Sequence, residues 1–249
     1  MSEIEGIYAV WLREFKVYIR EKERVISSLI SPILWLIAFG TGLGSVVTIE
    51  GVNYRTYIYP GILIMSVLFS SLFYGVYVIW DRKLDFLKEV LVAPLSRVSI
   101  FVGKVLGGCT TVMVQTTALL AIGYLIGLCL APDVLLKVFL LLFLLSVALV
   151  SLGLSIGANM RSPEGFMLVA NFVIWPLFFF SGALFPLSNL PPWLSGIASI
   201  NPVTYGVDLV RGTIIGIQHF PYLADIAIIL TFSLVTILVG TWSFKRMHD

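Results

Sequence analysis

Long stretches of apolar residues alternate with short polar segments along this chain. Uncharged runs occupy residues 25–49, 56–80, 105–132, 138–160, 165–207 and 226–244. A helix needs about 20 apolar residues to cross the hydrocarbon core of a bilayer. The run 165–207 is longer than one span requires, so we expect it to hold one span followed by shorter elements. The pattern therefore predicts an all-α membrane protein with six transmembrane helices, organised as a single domain over residues 1–249.

Residues 1–24 form a charged segment in front of the first apolar run. Apolar side chains recur within it at helical spacing, at Ile4, Ile7, Tyr8, Trp11, Leu12, Phe15, Tyr18 and Ile19. Charged residues fill the other face, so the segment predicts an amphipathic interfacial helix whose Trp and Tyr side chains favour the headgroup region of a membrane. The alternative is an ordinary soluble amphipathic helix that docks on a partner.

The region 186–222, between the fifth and sixth predicted spans, has the pattern of two short apolar helices. Asn201 followed by Pro202 is a typical helix start, with the amide side chain as cap and proline in the first turn. A second short helix is expected to begin at the group Pro191, Pro192 and Trp193. Neither helix is long enough to cross a bilayer.

These short helices either lie flat on the outer surface or enter the bilayer and return, and we favour re-entry. A re-entrant segment needs protein or water to satisfy its exposed backbone groups. Asp208 and Arg211 lie three residues apart, and an ion pair between them would lower the cost of partial burial. The alternative is a solvated outer face that carries both charges.

Seven charged residues are concentrated in the segment 80–97. Apolar positions within the segment repeat at helical spacing, at Leu84, Leu87 and Leu91. Pro94 is expected to end this helix, because proline disrupts a helix interior. The segment is therefore predicted to be a short cytosolic helix held between the second and third spans. A solvated loop helix without a partner is the alternative.

Composition and charge support a membrane location and indicate an orientation. The chain is 59% hydrophobic and 12% charged, whereas soluble domains are about one quarter charged. Thirteen of the 16 Lys and Arg residues fall on one side of the predicted spans, and the other side carries Arg55, Lys137 and Arg211. Positive residues favour the cytoplasmic side, so both termini are predicted to be cytoplasmic in a multi-pass protein of the plasma or inner membrane. The net charge of +2 gives no indication of a nucleic-acid partner.

Motifs for catalysis or cofactor binding are lacking. Gly103-Lys104 lacks the upstream glycine that a GxxxxGK[ST] phosphate-binding loop requires. The two histidines, His219 and His248, have no metal-ligand spacing. We therefore expect this chain to be no enzyme and to hold no cofactor or metal.

The predicted spans carry no Asp, Glu, Lys or Arg in their central parts. Lys104 and Asp225 lie near span ends, where they are expected to reach the interface or water. A charge at the bilayer centre costs at least about 2.5–3.5 kcal/mol, and ion-driven carriers keep such residues for function. Their lack argues against proton-driven antiport. Neutral polar residues such as Gln115 either form interhelical hydrogen bonds or line a substrate path.

Two of the predicted spans carry glycines at a spacing of four, in the pairs Gly103/Gly107, Gly123/Gly127 and Gly153/Gly157. Small residues at this spacing let helix backbones approach closely in lipid. The pairs predict a tightly packed bundle or a dimer seam, with chance occurrence as the alternative.

Four stretches of the chain resemble the membrane subunits of type-2 ATP-binding-cassette (ABC) exporters, especially the daunorubicin-resistance-like and nodulation-factor-exporter-like permeases. They are SPILWLIAFGTGLG, YPGILIMSVLFSS, WDRKLDFLKEVLVAPLSRVSIFVGKVLGG and FFFSGALFPLSNLPPWLSGIASINPVTYGVDLVRG. Together they cover most of the 249 residues in order. The resemblance implies six spans per subunit and outer re-entrant helices after the fifth.

The resemblance also implies partners and site residues. It implies two cytosolic ABC ATPase subunits, which bind ATP and Mg, a second permease copy in an expected homodimer, and surrounding membrane lipids. The N-terminal helix and the helix after the second span are implied to contact the ATPase. The candidate ATPase-coupling residues are Arg82, Asp85, Lys88, Glu89, Pro94 and Arg97. The candidate residues of the outer re-entrant helices are Pro191, Pro192, Trp193, Asn201, Pro202, Asp208 and Arg211.

The sequence therefore predicts the permease subunit of an ATP-driven exporter. Its expected substrate is amphipathic or lipid-like, such as a drug, a lipid or a lipid-linked glycan, which it moves out of the cytoplasm. An ATP-independent secondary carrier or channel is the alternative, and it would show flux from the chain alone. A non-transporting membrane scaffold or biogenesis factor is a third possibility, and it would move no cargo under any nucleotide condition.

Overall fold

The computed structural model describes residues 2–44, 46–84, 95–128 and 130–247, and these residues are almost entirely α-helical. The helices are α1 (Glu3–Arg20), α2 (Lys22–Gly42), α3 (Tyr54–Phe73), α4 (Val76–Lys83), α5 (Arg97–Leu125), α6 (Pro132–Asn159), α7 (Pro163–Phe179), α8 (Pro192–Ile200), α9 (Pro202–Ile215) and α10 (Tyr222–Arg246). An antiparallel hairpin joins α2 to α3, and its two strands, β1 (Thr48–Ile49) and β2 (Val52–Asn53), have two residues each. A 3₁₀ turn covers Leu187–Asn189. The prediction of an all-α membrane protein is confirmed.

Five stretches of the described residues are long and apolar enough to cross a membrane. They are Val25–Gly42, Tyr54–Lys83, Arg97–Leu125, Pro132–Asn159 and Tyr222–Arg246. α7 occupies the place of the predicted fifth span, but it has 17 residues and is therefore about 26 Å long. The count of six spans stays a prediction.

α3 lies at the centre of the bundle and is buried along almost its whole length. α2, α5, α6, α7 and α9 pack around it, and α10 lies along α6. Lipid tails are as apolar as these side chains, so close packing and interhelical hydrogen bonds, rather than escape from water, hold such helices together.

The junction between α3 and α4 is pressed against α6. A Cβ atom built on Gly75 would lie 2.0 Å from the carbonyl oxygen of Gly153, and one built on Gly157 would lie 2.1 Å from the carbonyl oxygen of Gly75. Both distances are far shorter than any real Cβ contact, so only glycine fits at these positions. The close approach predicted from the pair Gly153/Gly157 is confirmed.

The N-terminal helix α1 packs along α5 over the pair Gly103/Gly107. A Cβ atom on Gly103 would lie 2.7 Å from Cβ of Val10, and one on Gly107 would lie 2.6 Å from Cβ of Glu14. This pair therefore serves the packing of α1 within one subunit. The pair Gly123/Gly127 is different, because α5 ends at Leu125 and Gly127 lies beyond the helix with a φ of 93°.

The face of α1 that is buried differs from the predicted apolar face. Its buried residues are Gly6, Val10, Glu14 and Tyr18, which follow one another at a spacing of four. Ile4, Tyr8 and Ile19 from the predicted apolar face are more than half exposed. The helix therefore turns a stripe that includes a carboxylate towards α5 and leaves aromatic and aliphatic side chains at its outer surface.

The two short helices predicted between spans five and six are present. Pro191 occupies the N-cap position of α8 without a side-chain hydrogen bond, Pro192 is the first residue of the helix, and Trp193 is exposed. Asn201 caps α9 by accepting a hydrogen bond from the backbone N–H of Val203, and Pro202 begins the helix. α8 has 9 residues and α9 has 14, so neither crosses a bilayer. α9 packs against α3, α6 and α10; whether the two helices re-enter the bilayer stays a prediction.

Candidate functional site

Four charged side chains meet where α1, α4 and α5 come together. Lys104 donates to Glu14 Oε1 at 3.0 Å and to Asp81 Oδ2. Arg13 binds both carboxylate oxygens of Asp81, at 2.9 and 3.2 Å, and Glu14 Oε1 at 2.8 Å. We call Arg13, Glu14, Asp81 and Lys104 the charge cluster. Its two positive and two negative charges balance.

The geometry of the charge cluster follows from the helices that carry it. Glu14 reaches α5 because Gly107 has no side chain at that contact. Its second oxygen, Oε2, accepts a hydrogen bond of 2.7 Å from the hydroxyl of Tyr74, at the junction of α3 and α4. Asp81 lies in the last turns of α4, and Lys104 lies two turns into α5. The cluster therefore joins the N-terminal helix to the helices on both sides of the segment 80–97.

Three of the four side chains of the charge cluster are deeply buried, whereas the Arg13 side chain is 32% exposed. Lys104, Asp81 and Glu14 are at most 7% exposed. Burial alone would raise the pKa of Glu14, but the Lys104 ammonium, the Tyr74 hydroxyl and the Arg13 guanidinium lower this pKa to about 2. Glu14 is therefore ionised at any physiological pH. Removing one partner of a buried pair leaves an uncompensated charge, which costs about 3–5 kcal/mol.

The sequence predictions for Lys104 and Asp225 are wrong. Lys104 does not reach water near the span end, because it is 2% exposed and paired with two carboxylates. Asp81, its partner, is likewise buried, at 5% exposure. Asp225, also predicted to reach water, is buried and accepts a hydrogen bond from Gln218 Nε2 at 3.0 Å. Opposite charges on separate helices were the available signal, but 90 residues separate Glu14 from Lys104.

Two of the predicted coupling residues bind the C-terminal ends of other helices. Arg82 donates to the carbonyl oxygens of Gly157, at 2.8 Å, and Met160 at the end of α6. Arg97 donates to the carbonyl oxygens of Phe244, at 3.3 Å, and Met247 at the end of α10. A cation at a helix C-terminus satisfies carbonyl groups that have no partner within the helix and interacts favourably with the helix dipole. The two arginines thus link the ends of the segment 80–97 to α6 and α10.

The other four predicted coupling residues lie outside the described residues: Asp85, Lys88, Glu89 and Pro94. Their assignment to ATPase coupling stays a prediction.

Two further contacts fix α1 along α5. Near its start, Glu3 accepts hydrogen bonds from the hydroxyls of Ser96, at 2.9 Å, and Ser99, which lower the pKa of Glu3. Further along, Trp11 Nε1 donates to Thr110 Oγ1 at 2.9 Å. Together with the charge cluster, these contacts hold α1 against α5 at three points.

The predicted ion pair between Asp208 and Arg211 does not form, and neither residue lies on a solvated face. Both residues are buried, at 2% and 3% exposure. Asp208 instead accepts hydrogen bonds of 2.8–2.9 Å from the backbone N–H groups of His219 and Phe220. Arg211 donates to the carbonyl oxygens of Gly182, at 2.8 Å, and Ala183, and lies 4.2 Å from the centre of the Tyr57 ring. These contacts organise the end of the bundle around α9.

The apolar bundle with its buried charge cluster defines an integral membrane protein, and comparison with known proteins gives its family. The family described as ABC-2 type transporter matches residues 5–215, so the chain belongs to that family. It is a transport permease of the ABC-2 type.

Three relatives illustrate the similarity. The chain is 28% identical to the inner membrane transport permease YadH of Escherichia coli K12, over 96% of this chain and 93% of the relative. It is 26% identical to nodulation protein J of Rhizobium leguminosarum bv. viciae, over the same shares of both chains. It is 32% identical to the putative transport permease ycf38 of Cyanophora paradoxa, over 84% of this chain and 73% of the relative.

Proposed function

We propose that this chain is the permease subunit of an ATP-driven exporter that moves an amphipathic or lipid-like substrate out of the cytoplasm. In this proposal the permease works as a homodimer with two cytosolic ABC ATPase subunits, which bind and hydrolyse ATP with Mg. Membership of the ABC-2 type family and the names of its permease relatives support the proposal. The excess of Lys and Arg on one side supports cytoplasmic termini.

The observation that carries the proposal is the charge cluster, which ties α1, α4 and α5 into one unit. A force that the ATPase applies to α1 or to the segment 80–97 would reach α5 through Lys104, because separating it from Glu14 and Asp81 would strand buried charges. Through Arg82 and Arg97 the same force would reach the ends of α6 and α10. Motion at the cytoplasmic side would then shift whole spans.

Transport by a variant with a weakened charge cluster tests the role of the cluster in coupling. The double variant Glu14→Gln with Lys104→Met removes one charge of each sign and retains the pair between Arg13 and Asp81. We expect the variant to assemble with the ATPase in proteoliposomes and to hydrolyse ATP, but to move at least fivefold less substrate per ATP than the wild type. Lys137→Met is the control, because Lys137 is exposed and lies outside the cluster. Unchanged transport per ATP in the double variant would refute the coupling role.

One observation supports the alternative, an ATP-independent carrier. Ion-coupled carriers keep buried ionisable residues, and Lys104 and Asp81 are such residues within helices that can span a membrane. Both are fully paired, however, which suits a structural link better than a proton relay. Flux of substrate through liposomes that contain the permease alone, driven by a proton gradient, would favour the carrier over the exporter.

A further inference from the structure

Two buried carboxylates, Asp208 and Asp225, lie close together between α9 and α10. Asp208 is in the middle of α9, and Asp225 is in the first turn of α10. Their exposed fractions are 2% and 0%, and the two side chains lie within hydrogen-bonding range of each other. The pair is separate from the charge cluster, so the coupling proposed above does not use it.

The two carboxylates differ in the hydrogen-bond donors that they receive. Asp208 accepts hydrogen bonds of 2.8–2.9 Å from the backbone N–H groups of His219 and Phe220. Asp225 Oδ2 accepts a hydrogen bond from Gln218 Nε2 at 3.0 Å, but Asp225 Oδ1 is buried and has no donor among the described residues. An ionised carboxylate in this situation is costly, because neither a donor nor a positive charge compensates for the lost water.

Nearby cations do not neutralise the pair. Arg211 is the one cation of α9, and it donates to the carbonyl oxygens of Gly182 and Ala183 instead of forming an ion pair with a described carboxylate. The helix α6 packs along α10, and near its start Lys137 is exposed and paired with Asp133. At most one positive charge therefore faces two buried carboxylates.

The other titratable groups on the neighbouring elements do not change this balance. The Tyr205 hydroxyl of α9 donates to a backbone carbonyl oxygen, and His219 in the loop before α10 is exposed. Glu50 borders a small cavity together with Asp208, is exposed, and adds negative charge. The helix α5 meets α10 near Phe244, at the opposite end of α10, where Arg97 binds backbone carbonyl oxygens. Two carboxylates in contact under these conditions are not both ionised.

A proton suits the pair better than a metal ion. A calcium ion takes about 6–8 oxygen ligands, and the described residues contain no group of three or more His, Cys, Asp or Glu that could hold a metal. One proton is sufficient, because the O–H of a protonated carboxyl group donates to the neighbouring carboxylate and one negative charge is removed.

We propose that Asp208 and Asp225 share one proton and form a pH-sensitive latch between α9 and α10. With the proton bound, a hydrogen bond between the two carboxyl groups joins the helices, and Asp208 holds the loop 216–221 through its backbone N–H groups. When the proton passes to water, two buried negative charges remain in contact, and their repulsion separates the helices and releases the loop. In the predicted orientation the loop faces away from the cytoplasm, so the latch responds to external pH. The latch belongs to the permease itself and does not depend on ATP-driven export.

Infrared spectroscopy of the full-length permease in maltoside micelles detects the shared proton. A protonated carboxyl group has a C=O stretching band that a carboxylate lacks. At neutral pH we expect the wild type to show this band and both Asp225→Asn and Asp208→Asn to lose it. Asp133→Asn is the control, because Asp133 is exposed, and it should keep the band. A band that is missing in the wild type, or that survives in both pair variants, would overturn the proposal.

Hydrogen–deuterium exchange of the loop 216–221 tests the latch. In the wild type, the protection of the amides of His219 and Phe220, corrected for intrinsic exchange, should fall at least about fivefold between mildly acidic and mildly alkaline pH. Asp225→Asn should stay protected over this range, because its uncharged amide donates to Asp208 in place of the carboxyl O–H. Asp133→Asn should follow the wild type. Protection in the wild type that does not depend on pH, or the same dependence in Asp225→Asn, would overturn the latch.

Discussion

Replacement of Lys104 by Met should destabilise the permease strongly. Lys104 is 2% exposed. Among the described side chains of α5, it is the only one that binds both Glu14 and Asp81. Two unit charges 3.0 Å apart, the distance from Lys104 Nζ to Glu14 Oε1, attract each other by about 5.5 kcal/mol at an effective dielectric constant of about 20. Part of this attraction offsets the desolvation of the ammonium group. We therefore expect Lys104→Met to lower the free energy of unfolding by about 3–5 kcal/mol.

A double-mutant cycle separates this ionic interaction from a general packing defect. Glu14→Gln combined with Lys104→Met leaves the cluster neutral, so the double variant should be more stable than the sum of the single losses by about 1–3 kcal/mol. Lys137→Met is the control, because its ammonium group is exposed and 3.7 Å from Asp133, and it should change stability by at most about 0.5 kcal/mol.

The assay is equilibrium unfolding in mixed micelles, followed by far-ultraviolet circular dichroism as denaturing detergent is added. Strict additivity of the two single losses would refute the ionic explanation. A loss of less than about 1 kcal/mol for Lys104→Met would refute the inference that this ammonium group neutralises two buried carboxylates.

Three further outcomes follow from the structure. Glu14 has a pKa of about 2 against an ordinary 4.5, so its ionisation should contribute about 3 kcal/mol to the free energy of unfolding. This contribution should be constant above pH 4.5 and disappear as the pH falls towards 2. Identical acid unfolding of the wild type and Glu14→Gln would contradict this. Gly75→Ala should lower the unfolding midpoint, because the new Cβ would meet the carbonyl oxygen of Gly153 at 2.0 Å. Gly196→Ala is the control and should not lower the midpoint, because no atom lies within 4 Å of its new Cβ. Equal midpoints for the two variants would argue against the close packing of Gly75 on α6. Asp208→Asn weakens the hydrogen bonds from the loop before α10 and should cost about 1–3 kcal/mol, with faster amide exchange at residues 219 and 220; unchanged exchange would show that the carboxylate is dispensable.

The helical architecture could be predicted from the sequence because it depends on local patterns. Apolar runs of sufficient length marked the helices that can span a membrane. The cap at Asn201 and the proline at 202 marked the start of α9, since both act within one helical turn. The glycine pairs at 103/107 and 153/157 marked close helix contacts, but not which helix each would meet.

The charge cluster could not be predicted because its members are far apart in the chain. Glu14 belonged to the charged face predicted for the N-terminal helix, and Lys104 had the position of a charge at a span end. Only the packing of α1 over Gly103 and Gly107 brings them together. Local rules assign a lone charge to water, whereas a matched set of charges can be buried. Asp208 was misjudged in the same way, because its partners are backbone groups in a later loop.

The most direct test of the account is the movement of lipid by purified permease in proteoliposomes. The measurement compares the permease alone with the permease and its ABC ATPase, with and without ATP, and follows fluorescent glucosyl diacylglycerol, fluorescent phosphatidylcholine and a cationic rhodamine dye. ATP-driven export predicts that at least one probe moves only when both the ATPase and hydrolysable ATP are present. Movement of equal rate by the permease alone would contradict it.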